Sequence, residues 1–201
     1  MTWTRTHAPS EPTRVAGFYA DDSYQPLLGM EAATIGGSGD VQAPGANVMV
    51  GWLIVPVESI TIDGAFFYTH TAGAAGTKAR LGIFPVAAGA ASTPLLIDSG
   101  EIAIDATGYK VPTWTAVALR AFTPYLAVIL ANDATFAYRH FQGITSTAMR
   151  EGLSLGVLGS STTAYRALTG AQAYGALPSS PPALTPNTTI KPPGVLWKVQ
   201  R

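Results

Sequence analysis

The feature that most constrains the fold is a run of residues with period two near position 60, SITIDGAFFYTHT. Successive side chains of a β-strand point to opposite faces, so this alternation predicts a strand with one face toward a core. The predicted inward face comprises Ile60, Ile62, Gly64, Phe66 and Tyr68. The small residues AGAAG follow as a loop, and TKARLGIFPV then resumes the alternation. We therefore predict that residues 59–86 form a β-hairpin.

Strand patterns continue through the rest of the chain. The segments NVMVGWLIVPV and PYLAVILAND are apolar on both faces, which predicts central strands covered on both sides. Shorter alternations occur in LLIDSG, GEIAIDATG and YKVPTWTAVAL, and VLWKVQR is expected to form the last strand. Eight or nine strands and almost no helix predict an all-β fold. The expected architecture is an antiparallel β-sandwich that is jelly-roll-like.

Residues 1–46 lack this alternation and contain two segments rich in turn formers, APSEP and GGSGDVQAPGAN. We predict an extended, irregular N-terminal arm over residues 1–46, with one strand near residues 14–19. The arm is expected to serve attachment or assembly, and the β-sandwich domain is expected to cover residues 47–201. Within that domain, residues 148–155 fit a short helix or a loop equally well.

A proline-rich segment precedes the last strand. AYGALPSSPPALTPNTTIKPPG contains six of the 15 prolines. Proline lacks the N–H donor that a sheet requires, and it breaks helices. We predict that this segment is neither regular sheet nor helix and crosses the surface as extended, polyproline-like chain.

The charge composition narrows the classes of partner. Only 12% of the residues are charged, about half the usual ~25%, and the formal net charge is +0. No block of Lys and Arg is present, so nucleic-acid binding is not expected. No run of eighteen apolar residues occurs, so membrane insertion is not expected. Low charge fits a surface covered by neighbouring subunits, and it fits a neutral β-rich domain equally well.

No motif in the chain predicts catalysis, a cofactor or a metal ion. The chain has no cysteine, and none of its three histidines, His7, His70 and His140, has a second ligand at a metal-binding spacing. Metal ligation by His70 and His140 together is the alternative to ordinary surface or partly satisfied histidines. Hydrolase, metalloprotease and phosphate-loop signatures are absent from the sequence. Asp98, Glu101 and Asp105 leave glycoside hydrolysis open as an alternative, against ordinary roles in turns and on solvated faces. We expect a protein that is not an enzyme and holds no cofactor.

Aromatic residues near strand ends are candidates for carbohydrate contact, because sugars stack on exposed flat rings. Tyr109, Trp114 and Tyr125 are the candidate set. For Trp114, packing in the core is the alternative. Trp52 and Trp197 lie in apolar strands and are expected in the core.

The run SITIDGAFFYTHTAGAAGTKARLGIFPV, together with TPLLIDSGEIAIDATG, TPYLAVILAND and AYGALPSSPP, resembles a module of tailed-bacteriophage virion proteins. These modules occur in minor tail, fibre and head-appendage proteins. The resemblance covers roughly residues 48–201 and is a pattern of turns and alternation. One departure is PYLAVIL, which stands where an aromatic-rich strand is usual.

The resemblance implies a structural virion component, assembled in the host cytoplasm and then carried on the extracellular particle. It implies a homo-oligomer, often a trimer, that is joined to other virion proteins and presents a surface to the host. We expect a tail fibre or tail-tip protein with receptor-binding contact to a host-surface glycan. A head decoration or head-spike protein and a stand-alone carbohydrate-binding module are the alternatives. The family pattern supplies no catalytic residues.

Overall fold

A computed structural model describes residues 23–25, 34–35, 41–87, 90–142 and 167–200. Within these residues every helical or strand element is a β-strand, and there are seventeen, β1 to β17. The all-β prediction is confirmed. The segments outnumber the eight or nine expected because many span only two or three residues. The predicted strand near residues 14–19 and the ambiguous segment 148–155 lie outside the described residues.

The first sheet contains seven strands and is centred on a long strand near position 65. Its members are β1 (Ser23–Gln25), β3 (Val41–Gln42), β5 (Ile60–Thr71), β10 (Gly108–Lys110), β11 (Thr113–Leu119), β13 (Ala137–Arg139) and β17 (Leu196–Gln200). The order is β1, β17, β5, β13, β3, and both β10 and β11 also pair with β5. All of these pairings are antiparallel.

The second sheet contains eight strands and includes the most apolar ones. Its members are β4 (Val48–Ile54), β6 (Lys78–Ala87), β7 (Ala90–Ala91), β8 (Ile97–Asp98), β9 (Ile102–Ala103), β12 (Tyr125–Ala131), β15 (Ala167–Ala171) and β16 (Thr185–Asn187). The order is β16, β15, β4, β12, β6, β7, with β8 and β9 also paired to β6. A separate antiparallel pair joins β2 (Thr34–Ile35) to β14 (Phe141–Gln142).

The two antiparallel sheets pack face to face, which confirms the predicted β-sandwich. Trp52 on β4 and Trp197 on β17 meet between them, with ring centroids 6.5 Å apart and side chains 1% and 0% exposed. Every residue of β12 is buried, as its two apolar faces predicted. The long strands β4, β5, β6, β11 and β12 alternate between the sheets along the chain, as expected for a jelly-roll-like sandwich.

The predicted hairpin over residues 59–86 is wrong. Its two strands exist as β5 and β6, but β5 belongs to the first sheet and β6 to the second. The loop between them is held by acceptors from distant segments: Ala74 N–H donates to Asp133 Oδ2 and Gly76 N–H to Asp105 Oδ2, both at 3.0 Å. These bonds anchor the loop across the end of the sandwich, so the chain changes sheet instead of folding back on itself.

The predicted inward face of β5 is correct only for its first half. Ile60, Ile62 and Gly64 are buried, but beyond them the buried positions become Ala65, Phe67 and Thr69. The cause is a β-bulge: Val199 lies opposite Ile62 while Lys198 lies opposite Gly64, so one extra residue of β5 stands between them. A bulge shifts the alternation by one position and turns the following side chains to the other face.

Phe66 and Tyr68 therefore point away from the core, contrary to the prediction. Both are half-buried on the outer face of the first sheet.

The segment between β15 and β16, residues 172–184, lies over the second sheet as a strap without regular structure. A Cβ added to Gly170 would come within 2.8 Å of Leu184 Cδ2, and one added to Gly51 within 3.2 Å of Leu184 Cδ1. Leu177 Cδ1 likewise lies close to the position that a Cβ added to Gly82 would occupy. The strap therefore covers the outer face of β4, β6 and β15, and this accounts for the burial of their second faces.

The prediction that the proline-rich segment avoids sheet is wrong at one place. Pro186 lies inside β16, where it stands opposite Leu168 of β15. β16 is the outermost strand of its sheet. A proline is tolerated at an edge because its missing donor faces away from the neighbouring strand.

Parts of the predicted arm pair with the sandwich domain. β1 pairs with β17, β3 with β13, and β2 with β14. The described portions of residues 1–46 thus lie along strands of the body rather than apart from it.

Candidate functional site

The outer face of the first sheet carries a row of aromatic side chains. Because of the bulge in β5, Tyr68 points outward and lies directly opposite Tyr109 of β10. Phe66, two residues earlier on β5, points outward on the same face. On the other side of β5, Arg139 of β13 is next to Tyr138, which stands opposite Thr69. We call Phe66, Tyr68, Tyr109 and Arg139 the aromatic platform.

Tyr109 is the most exposed member of the aromatic platform. Its side chain is 63% exposed. Its ring stacks on Phe66 with centroids 4.7 Å apart and planes 25° apart, and it meets Tyr68 edge-on at 4.9 Å. Offset stacked and edge-to-face contacts are the favoured arrangements of aromatic pairs. The ring is therefore held in place by Phe66 and Tyr68 while most of the residue stays exposed.

Arg139 adds a positive charge to the aromatic platform. The guanidinium carbon lies 4.2 Å from the centroid of the Tyr68 ring, which is the geometry of a cation–π contact. The Nε atom of Arg139 is buried and has no hydrogen-bond partner among the described residues. The guanidinium is thus oriented by stacking on an aromatic ring.

The other two predicted glycan-contact residues lie elsewhere. Trp114 on β11 is half-buried; its ring packs edge-on against Trp197 with centroids 6.1 Å apart, and its Nε1 donates to the Ile62 carbonyl at 3.3 Å. Tyr125 is 5% exposed, and its hydroxyl accepts the Arg120 N–H at 2.9 Å. The expectation that Tyr125 is exposed is wrong, because β12 is covered on both faces. The structure brings neither residue to the aromatic platform.

Two of the three carboxylates considered for glycoside hydrolysis, Asp98 and Asp105, hold the backbone of neighbouring segments. Asp98 receives Arg80 Nη1 on both oxygens at 2.8 Å, and the N–H groups of Gly100 and Leu177 at 3.0 Å. Asp105 receives the Gly76 N–H of the β5–β6 loop. Glu101 is exposed on the segment between β8 and β9. In this arrangement Asp98 fastens the strap, through Leu177, to the edge of the second sheet.

The histidines occupy separate environments. His70 is half-buried on β5, whereas His140 is 3% exposed with its Nε2 3.1 Å from Lys191 Nζ. In the described part of the chain, no three His, Asp or Glu side chains gather closely enough to hold a metal ion. The described residues also contain no helix long and apolar enough to cross a membrane.

Sequence reasoning identified one member of the aromatic platform and missed three. Tyr109 was a candidate because it is an aromatic residue near a strand end. Phe66 and Tyr68 were assigned to the core because the alternation was continued through Gly64. The signal that could have found them is the pair Asp63–Gly64, since glycine inside a strand pattern is a marker of a bulge. Arg139 carried no local signal, because its contact with Tyr68 depends on strand pairing.

The fold and its outer face define the class of protein as an antiparallel β-sandwich with an aromatic row on the outer face of its first sheet. Comparison of the chain with protein-family models, with curated proteins and with solved structures finds no match.

Proposed function

We propose that this protein is a structural and adhesion subunit of a tailed phage or phage-like particle. Within that class, we propose a tail-fibre or tail-tip protein, not an enzyme, whose first sheet contacts a glycan on the host surface. The virion assignment is supported by the resemblance of residues 48–201 to tailed-phage virion modules. The observation that carries the glycan contact is the flat, 63%-exposed ring of Tyr109.

The aromatic platform is chemically suited to contact with a carbohydrate. A sugar ring has an apolar face of C–H groups, which packs against a flat aromatic ring, and hydroxyl groups at its rim. Tyr109 offers such a ring already immobilised by Phe66 and Tyr68. Little side-chain entropy remains to be lost on binding, which favours affinity.

The assembly part of the proposal rests on composition and on the arm. Only 12% of residues are charged, which suits subunits that pack against one another. Residues 1–46 are proposed to join the subunit to other virion proteins, and the sandwich domain is proposed to form a homotrimer. The protein would then reside on the virion.

Adsorption of particles tests the glycan contact. Tyr109→Ala is expected to lower adsorption to host cells about tenfold or more, which corresponds to ~1.4 kcal/mol. Phe122→Ala is the matched control, because Phe122 is an aromatic residue 78% exposed in the turn between β11 and β12 and outside the aromatic platform. Unchanged adsorption by the Tyr109 variant, or an equal loss in the Phe122 variant, would count against the proposal.

A stand-alone carbohydrate-binding module is the second candidate, favoured by the same exposed Tyr109. It predicts a monomer that binds sugar and is absent from particles. Labelling the chain in electron micrographs of intact particles separates the two candidates. The same images distinguish a tail protein from a head decoration or head-spike protein.

A further inference from the structure

We infer that the glycan bound by the aromatic platform carries a carboxylate, as in a uronic or sialic acid, and that Arg139 recognises it. The inference rests on the proposed glycan contact and names the class of sugar. Its basis is the position of a single cation in an otherwise uncharged aromatic row.

The row crosses three neighbouring strands, β10, β5 and β13. Tyr109 of β10 is opposite Tyr68 of β5, and Arg139 of β13 is opposite Val41 of β3. The Tyr109 ring lies 4.9 Å from the Tyr68 ring, which lies 4.2 Å from the Arg139 guanidinium. The guanidinium carbon of Arg139 is therefore no further from the centroid of the Tyr109 ring than the sum of these two distances. A glycan whose first ring packs on Tyr109 can place a substituent, or its next unit, beside Arg139.

No carboxylate of the described residues neutralises Arg139. The ion pairs seen between described residues join Arg80 to Asp98 and Lys198 to Asp63, and neither includes Arg139. Asp63 shares the outer face of β5, but it binds Lys198 Nζ at 3.3 Å and also the side-chain amide of Gln200. Among the described residues the platform consequently presents one positive charge without an ion-paired carboxylate, which complements an anionic ligand.

Arginine is suited to a carboxylate by its shape as well as its charge. The guanidinium is planar and can donate two parallel N–H bonds to the two oxygens of a carboxylate. The contact with the Tyr68 ring holds the Arg139 guanidinium in place before a ligand arrives. A neutral sugar would make no use of the charge.

The inference can be tested by binding of the purified full chain to matched probes. Oligogalacturonate and oligosialic acid would each be compared with their methyl esters, which keep the sugar skeleton and remove the charge. We expect one acid to bind at least about tenfold more tightly than its ester, with an affinity that falls as salt concentration rises. Arg139→Gln is expected to abolish this difference, and Arg139→Lys to retain part of it.

Arg120→Gln is the matched control, because Arg120 is an exposed arginine at the turn between β11 and β12, outside the platform. The thermal midpoint of each variant shows whether it is folded. Equal binding of acid and ester, no binding of any acid, or a preference that survives in a folded Arg139→Gln variant would overturn the inference.

A failure of the inference is distinguishable from a failure of the proposed function. If neutral glycans bind and Tyr109→Ala removes that binding, the glycan contact stands and only the acidic class is wrong. If Tyr109→Ala leaves every glycan affinity unchanged, the contact itself is wrong.

Discussion

At the scale of single residues, Asp133 organises one end of the sandwich. Its Oδ1 accepts the hydroxyl of Thr135 at 2.6 Å and the N–H groups of Thr135 and Phe136 at 2.7 and 2.9 Å. Its Oδ2 accepts the Ala74 N–H of the β5–β6 loop. The bond from the Thr135 hydroxyl, with these backbone bonds, lowers the pKa of Asp133 to about 2, because each donor favours the ionised form.

This lowered pKa predicts a loss of stability in acid. The contribution of Asp133 is fully present above its unfolded pKa of about 3.9 and is lost as the pH falls toward 2. In Asp133→Asn, the free energy of unfolding is expected to depend less on pH in this window. Urea titrations at a series of pH values measure the slope.

A second variant separates this effect from simple loss of the loop contact. Thr135→Val removes the strongest donor, so the pKa of Asp133 should rise toward its usual value. The acid-induced loss of stability should then be smaller in total and complete at a higher pH than in the parent protein, because its onset is set by the unchanged unfolded pKa. Identical pH profiles for all three proteins would show that Asp133 is not the group responsible.

At the scale of elements, the strap depends on glycines in the sheet beneath it. Gly170 of β15 lies so close to the strap that an added Cβ would stand 2.5 Å from the Ala183 carbonyl oxygen. Backbone at that distance cannot move aside without displacing the strap. Hydrogen bonds from Tyr174 N–H to Asn47 Oδ1 and from Leu177 N–H to Asp98 Oδ2 hold the strap at 3.0 Å each.

Gly170→Ala is accordingly expected to destabilise the protein by about 1–3 kcal/mol, the usual cost of overpacking. Gly175→Ala is the matched control inside the strap, since nothing lies within 4 Å of its added Cβ. That control should change the unfolding free energy by no more than about 0.5 kcal/mol. Equal stabilities of the two variants in urea would show that the strap does not lie against β15.

At the scale of the whole molecule, the sandwich and the arm are coupled through edge pairing. β1 and β3 belong to residues 1–46 and cover β17 and β13 at the margins of the first sheet. An uncovered strand edge offers unpaired donors and acceptors to other chains. Removing the arm therefore tests attachment and edge protection together.

We expect deletion of residues 1–46 to abolish incorporation into particles and to lower the thermal midpoint. Deletion of residues 1–22 alone keeps the β1–β17 and β3–β13 pairings. It therefore tests attachment to the particle without removing strands that stabilise the fold. Light scattering on the full chain is expected to give an oligomer. A monomer in solution, together with normal incorporation of both truncated chains, would contradict the proposed assembly role.

The sequence predicted the strands themselves, but it did not predict which strands pair with one another. VLWKVQR and PYLAVILAND formed the strands that their patterns predicted. The hairpin failed because the bonds that redirect its loop come from Asp105 and Asp133, which are distant in sequence. The candidate site was predicted only at Tyr109, since Phe66 and Tyr68 reach the surface through a bulge in β5 and Arg139 joins them through strand pairing.

The sequence by itself determined that the chain forms strands, which of them are covered on both faces, and that Trp52 and Trp197 lie inside. These properties follow from local alternation, because the backbone of a strand alone sets where each side chain points. Only the tertiary structure decided which strands pair, and that Phe66, Tyr68 and Arg139 share one surface with Tyr109. Pairing and register depend on hydrogen bonds between remote segments, and a single extra residue in β5 exchanges its two faces.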